Sequence, residues 1–314
     1  MKKKTVTISI IQLLDKFSNE DIAVKWLEKM RWGDKPVCPH CGGTEHITRS
    51  KTQKYQYWHK DCRKRFTAKT NTIMHASPIE VRKWLVAMYY VMTDRKGISS
   101  LELSKQLGIT QKSSWYMLQR IREACGGNGF QLSNIVEVDE TYLGGKEQNK
   151  HKSKQLKVGG GTTGKQPVIG MRERGGKVKA MSIKDAKGNT LREVVRENVE
   201  KGSTVYTDDF RGYRGLVGSG RWPYDYNHKA VNHSAKEYVN GMIHTNGIES
   251  VWALLKRGYT GTFHHFSMKH LQRYLDEFTF RLNEGNVDVD TIDRIAAICK
   301  RVHGKRISYQ DLIA

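Results

Sequence analysis

The chain has 314 residues, with 54 Lys and Arg against 32 Asp and Glu, and a formal net charge of +22 at pH 7. At roughly 100 to 200 residues per domain, that length predicts two or three folded units, and 38 % hydrophobic residues exclude wholesale disorder. The longest apolar stretch, Trp84 to Met92, is about half of the ~20 residues needed to cross a bilayer, which excludes it as a membrane span.

The N-terminus opens with Lys2-Lys3-Lys4 and a short apolar run, a signal-like start. No small-residue cleavage site follows and the run meets Asp15-Lys16, so export is not expected. Five cysteines, odd in number and unevenly spaced, predict a reducing cytosol rather than a disulfide framework. The positive charge favours a polyanionic partner, because each phosphate neutralised by Lys or Arg releases condensed counterions. Nucleic acid is the first candidate, and no membrane partner is expected.

Residues 18–31 read as a helix, with Ser18 or Asp21 able to cap it and Ile22, Trp26, Leu27 and Met30 at helical spacing. From 38 to 75 the chain turns polar, with eight Lys and Arg against one acid between His46 and His75. Little there could form a core, so something other than burial must hold the segment. Cys38-Pro39-His40-Cys41 and His59-Lys60-Asp61-Cys62 are two knuckles of ligand spacing. Tetrahedral zinc needs four N or S ligands from two tight turns, which assigns Cys38, Cys41, His59 and Cys62 to a structural Zn²⁺, with His40 as a competitor inside the first knuckle. Arg63, Lys64 and Arg65 directly after the second knuckle suit phosphate contact. Tyr55, Tyr57, Trp58 and Phe66 interleave with that charge, as packing for the ribbon or as stacking platforms.

Val81 to Met92 predicts a further helix, followed by a shorter pair split at Gly108-Ile109-Thr110. The pair reads as helix-turn-helix: Leu101, Leu103 and Leu107 serve its first helix, and Thr110 caps the second. Trp115, Leu118 and Ile121 lie on the inner face of that second helix. A helical hairpin without DNA contact is the alternative.

Ile135 to Asp139 predicts a strand, and the following loop, 144–166, holds six Gly, six Lys and one acid, a composition that predicts mobility. Val168–Met171 and Val178–Ile183 form a predicted hairpin across Arg174-Gly175-Gly176-Lys177. A helix over 190–200, led by Asn189 or Thr190, a strand over 204–207, and helices over 246–257 and 267–283 complete a mixed α/β pattern.

Three carboxylates stand out in this region. Asp139 ends one strand, with Glu137 two residues earlier and Glu140 on the opposite face. Asp208, with Asp209 as its neighbour and rival, ends another. Glu249 opens an amphipathic helix and has Lys256 two turns later on the same face. Singly, each has a plain explanation as a turn or a cap, and Glu249 could close a capping box opened by Asn246. Together they are the oxygen set that two-metal phosphoryl chemistry with Mg²⁺ requires.

Val136–Glu147 (VEVDETYLGGKE), Val205–Leu216 (VYTDDFRGYRGL) and His244–His265 (HTNGIESVWALLKRGYTGTFHH) resemble the catalytic core of insertion-sequence DDE transposases, in particular the ISXO-like family with an N-terminal zinc ribbon. Cys38–Gly42 and His270–Asn283 (HLQRYLDEFTFRLN) also match, so the likeness runs from about residue 8 to residue 285. His59 stands where relatives usually have a third cysteine.

The resemblance implies a multidomain α+β chain. An N-terminal helical segment (1–36) would precede a zinc ribbon (37–76) and a helix-turn-helix region (77–130). An RNase H-like mixed α/β catalytic domain (131–285) and a C-terminal helical tail (286–314) would follow. It implies a catalytic triad of Asp139, Asp208 and Glu249, preferring Asp208 over Asp209, on Mg²⁺ or Mn²⁺. Lys256 and Arg257 would lie along the DNA backbone. The expected partner is double-stranded DNA, as terminal inverted repeats and target, bound by a homodimer or larger assembly at the nucleoid in the cytoplasm. A non-catalytic DNA-binding regulator and a metal-dependent nuclease of the same fold are the rival readings.

Overall fold

The structure is a computed structural model describing residues 6–127, 129–145, 147–156, 161–208, 211–216, 226–231 and 244–314, without the side chains of Arg214 and Val231. Its contacts divide the chain into two units, one formed by 1–126 with 284–314 and the other by 127–283. Among the described residues no helix is long and apolar enough to cross a membrane.

In the first unit, α1 (Ile10–Lys16) is opened by a capping box between Ser9 and Gln12, and α2 (Glu20–Trp32) follows directly. The cap of α2 is Asn19, whose side chain accepts from Ile22 N at 3.0 Å, rather than Ser18 or Asp21. Three short antiparallel strands come next, β1 (Ile47–Arg49), β2 (Tyr57–His59) and β3 (Lys64–Phe66). Their apolar content is one small cluster of Cys38, Tyr57 and Phe66 against Trp32.

Helix α3 (Val81–Thr93) is the apolar axis of this unit, with Trp84, Leu85, Ala87, Met88 and Val91 all buried. Gly108 ends α4 (Ser100–Leu107) at φ +60, a left-handed position that suits glycine, and Thr110 caps α5 (Gln111–Cys125) through Ser113 N. Leu103 and Leu107 are buried as expected, but Leu101 is 55 % exposed and contributes nothing to the core. Only Gln111 and Lys112 of α5 are exposed. The C-terminal segment folds into this unit: α9 (Thr291–Cys299) packs on α2, α3 and α5, and Tyr309 of α10 (Tyr309–Ile313) meets Trp115 and Tyr116 edge to face.

The second unit is built on a five-stranded sheet of order β6-β5-β4-β7-β8. Strands β4 (Ile135–Leu143), β5 (Gln166–Glu173) and β6 (Val178–Ser182) are antiparallel, whereas β7 (Thr204–Asp208) and β8 (Asn227–Val231) run parallel to β4. Alternate side chains of β4 feed two cores. Val136 and Val138 join Leu191 and Val195 of α6 (Gly188–Asn198) on one face. On the other, Leu143 joins Ile248, Trp252 and Leu255 of α7 (Asn246–Gly258) and Leu271, Leu275 and Phe278 of α8 (Leu271–Glu284).

Helix α6 starts at Gly188 with no side-chain cap. Asn189 instead accepts from Arg192, and Thr190 donates to Asp185. The last expected helix starts at Leu271 rather than 267, because Met268–His270 is a tight 3₁₀ turn.

Candidate active site and metal centre

The two knuckles converge. The ligand atoms of Cys38, Cys41, His59 and Cys62 all lie within 4.8 Å of one another. Nδ1 of His59 is 3.2 Å from both Cys41 Sγ and Cys62 Sγ, and Cys38 Sγ is 3.6 Å from Cys62 Sγ. Tetrahedral zinc with bonds of about 2.0 to 2.3 Å holds neighbouring ligand atoms about 3.5 to 3.8 Å apart, so the four fit the ion.

The backbone prepares this site. Gly42, at φ +77, donates its N–H to Cys38 O at 2.8 Å, and a Cβ on Gly43 would stand 2.8 Å from His59 Cε1. His59 is buried, and its Nε2 lies 3.3 Å from Asp61 Oδ2 without the alignment of a hydrogen bond. His40 is not in the cluster; its Nε2 bonds Arg65 O at 3.2 Å. Arg63, Lys64 and Arg65 are exposed. Tyr57 and Phe66 are spent on packing, while Trp58, opposite Arg65 on the outer face, is 38 % exposed.

The acidic centre arises from strand register. Glu137 of β4 pairs with Tyr206 of β7 in parallel, and the same offset sets Asp208 beside Asp139 just past the last paired position. Both belong to the face that α7 covers, since Val136 and Val205 point together into the opposite core. Asp139 is also the register partner of Gly170 on β5. Here the missing side chain matters, because a Cβ on Gly170 would fall 2.4 Å from the ring of Trp252. Trp252 thereby comes close enough to the sheet for its Nε1 to donate to Asp139 Oδ2 at 3.0 Å.

Glu249, one turn earlier on α7, accepts from Thr245 Oγ1 at 2.9 Å. It closes no capping box with Asn246, which is the first helical residue. Burial and then the neighbouring Asp208 carboxylate, with Glu249 adding to them, raise the Asp139 pKa to about 6. Three acidic groups from β4, β7 and α7 thus share one field. Asp209, the rival to Asp208, lies outside the described residues.

Two further carboxylates, not foreseen as parts of the centre, frame it. Glu140, on the other face of β4, accepts from the buried Tyr213 hydroxyl at 2.5 Å; burial is the main cause that raises its pKa to about 7, and Asp208 and Asp139 add to it. Glu137 is 2 % exposed and accepts from Arg174 Nε at 2.8 Å and from Ile248 N at 3.0 Å, in the first turn of α7. His244 Nδ1 stands 3.6 Å away, and a Cβ on Gly247 would be 2.5 Å from Glu137 Oε2. The sequence signal for Glu137 was its i, i+2 spacing from Asp139, which puts both on one strand face.

Lys256 and Arg257 are exposed toward the C-terminal end of α7. Cys125 and Cys299 are buried, and Cys299 Sγ donates to Met88 Sδ at 3.5 Å.

The ISXO2-like transposase domain model matches residues 131–283, and the transposase zinc-ribbon domain model matches 18–65. A protein in transposable element ISH50 of Halobacterium salinarum is 30 % identical over 275 residues, covering 84 % of this chain and 91 % of that relative. The chain belongs to this transposase family. A transposase-like protein of Haemophilus influenzae is 31 % identical over 111 residues, 35 % of this chain and 85 % of the relative. Two solved structures of Mos1 are also similar: the strand transfer complex (TM-score 0.28, 11 % identity, 74 % of this chain and 82 % of that one) and a pre-cleavage transpososome (TM-score 0.29, 10 % identity, 95 % and 97 %).

Proposed function

We propose that the chain is a DDE transposase that binds the terminal inverted repeats of its insertion sequence, cuts the DNA ends and transfers the 3′-hydroxyl strands to target DNA. The carrying observation is that the Asp208 and Glu249 carboxylates both act on Asp139, three acidic groups from separate parts of the chain, in a net-positive protein of a transposase family. A sheet with three antiparallel strands followed by two parallel ones supports an RNase H-like core.

The donor set fits hard divalent ions, since all three groups offer carboxylate oxygen and Asp139 meets like charge rather than a cation. Mg²⁺ or Mn²⁺, when bound, would supply charge for the attacking and leaving oxygens of an in-line displacement. Asp139 and Asp208 would hold the ions at the sheet, and Glu249 would close the set from α7. Trp252 holds one Asp139 oxygen in place. Lys256, Arg257 and the ribbon's Arg63, Lys64 and Arg65 would neutralise backbone phosphates. No covalent enzyme intermediate is required; positioning and electrostatics suffice. The zinc cluster keeps the ribbon folded and takes no part in the chemistry, all four positions being protein ligands. Two ends must meet, which calls for a homodimer or larger assembly on DNA.

A labelled duplex carrying the element's terminal repeat, incubated with Mn²⁺, tests this reading. Nicked and joined products are expected. Nicking without joining would make the chain a nuclease, and neither product would leave a DNA-binding regulator.

A further inference from the structure

The helical path of α7 does not stop at Gly258. It passes into a π-helical turn, Tyr259–Phe263, and then into His264, a non-glycine residue at φ +58. Both features are costly conformations that persist only where surrounding structure enforces them, and π turns recur at functional positions. The enforcement is visible: Tyr259 and Phe263 meet Phe266 at ring-centroid distances of 4.9 and 5.3 Å, and Tyr274 of α8 stacks on Phe266 at 4.2 Å.

Apart from Met268, the side chains that this anchored turn and the residues after it expose are polar or basic. Thr260, His264, His265 and Lys269 are exposed, continuing Lys256 and Arg257, and no Asp or Glu occurs between Glu249 and Asp276. His264 Nδ1 bonds Thr260 O at 2.9 Å, which fixes the orientation of that ring. At 1.5 Å per residue the turn begins about 15 Å along the helix axis from Glu249, about four base-pair steps of a duplex.

We infer that the π turn and its exposed His264, His265 and Lys269 form a rigid contact for the phosphate backbone of the DNA duplex that extends away from the acidic centre. The inference rests on reading that centre as the place of strand cleavage. A preformed turn of hydroxyl, imidazole and ammonium groups suits phosphate oxygens without reading sequence, and it fixes the path of the duplex relative to Glu249.

The test is binding, not catalysis. Fluorescence anisotropy with a mixed-sequence duplex of about 30 base pairs, over a salt series without added divalent metal, compares the full-length chain with His264→Ala/His265→Ala/Lys269→Ala. Lys184→Ala/Lys187→Ala, which removes two exposed lysines elsewhere, serves as the control. The triple variant is expected to bind about tenfold more weakly, with a log–log salt slope shallower by about one or more, while the control stays within about twofold of wild type. A triple variant indistinguishable from wild type, or no weaker than the control, overturns the inference. Should the triple variant melt early, Lys269→Glu, a single exposed charge reversal, repeats the comparison: weaker binding than the control supports the contact, and binding equal to wild type overturns it. Because no cleavage is read, failure here leaves the acidic centre standing, and inactive carboxylates would leave this contact standing.

Discussion

Trp252 Nε1 donates to Asp139 Oδ2 at 3.0 Å, so the helix bearing Glu249 is tied directly to the strand bearing Asp139. The tie depends on Gly170, whose absent side chain lets the indole reach the sheet. Trp252→Phe keeps most of the ring packing and removes only the donor. Mn²⁺ affinity and strand cleavage are expected to fall about tenfold, the equivalent of one charge-assisted hydrogen bond, while the melting temperature moves by only a few degrees. Isothermal titration with Mn²⁺ beside a cleavage assay checks this, and unchanged affinity would show the indole to be packing alone.

Glu137 performs the second docking of α7. Its carboxylate takes the Ile248 N–H in the helix's first turn and the Arg174 guanidinium, both within 3.0 Å. Glu137→Gln removes this counter-charge from Arg174 and is expected to cost about 3 kcal/mol, at the low end for breaking a buried pair because Arg174 is partly exposed. Gly247→Ala should act in the same direction by driving a methyl into the Glu137 carboxylate. Urea unfolding of both variants is the check. Cleavage should fall in proportion more than zinc content, which reports only on the ribbon.

Much of this was legible in the sequence, for reasons that can be named. Cysteine knuckles, the Gly108-Thr110 turn and Asp208 at the end of β7 are local signals, and each element they mark is present; Asp139, expected to end its strand, instead sits inside β4, which runs on to Leu143 because β5 pairs with it that far. The misses are those that depend on distant partners. Strand β8 (Asn227–Val231) has no apolar alternation, and it pairs along β7 through backbone groups. The capping of α7 by Glu137 crosses 111 positions of sequence, so Asn246 and Glu249 offered a plausible local substitute that the chain does not use. Likewise Leu101 fits a helical stripe yet meets solvent, and α5 is buried almost all round because α9 and α10 return to cover it.

Burial and like charge raise Asp139 to about 6 and Glu140 to about 7, above their ordinary values of 3.8 and 4.5. In the metal-free protein these two groups therefore favour the folded state most at low pH. Their contribution is lost as pH rises from about 4 through about 7, because the folded state then gives up protons it holds more tightly than the unfolded chain does. A divalent ion reverses the sign by favouring the ionised forms, so Mn²⁺ binding should release protons and weaken as pH falls below about 6. Thermal melts with and without Mn²⁺ between pH 5 and pH 8 (roughly the span of these shifts) test both signs; a metal-induced stabilisation that grows toward acid pH would contradict them.

The ribbon has almost no core beyond Cys38, Tyr57 and Phe66, so its fold depends on the metal. His59→Ala should lose zinc and the Trp32–Tyr57 contact, whereas His59→Cys, offering a thiolate in the same place, should retain both. Zinc content by atomic absorption with tryptophan fluorescence decides the matter. Full zinc occupancy in His59→Ala would exclude the histidine from the ligand set.

The most direct measurement of the catalytic reading is a crystal of the full chain soaked with Mn²⁺ and recorded at the manganese absorption edge. The account predicts anomalous density bonded, at about 2.2 Å, to carboxylate oxygens of Asp139, Asp208 and Glu249 together, and lost in Asp139→Asn. Manganese seated elsewhere, in a preparation that still cuts and joins DNA, would contradict it.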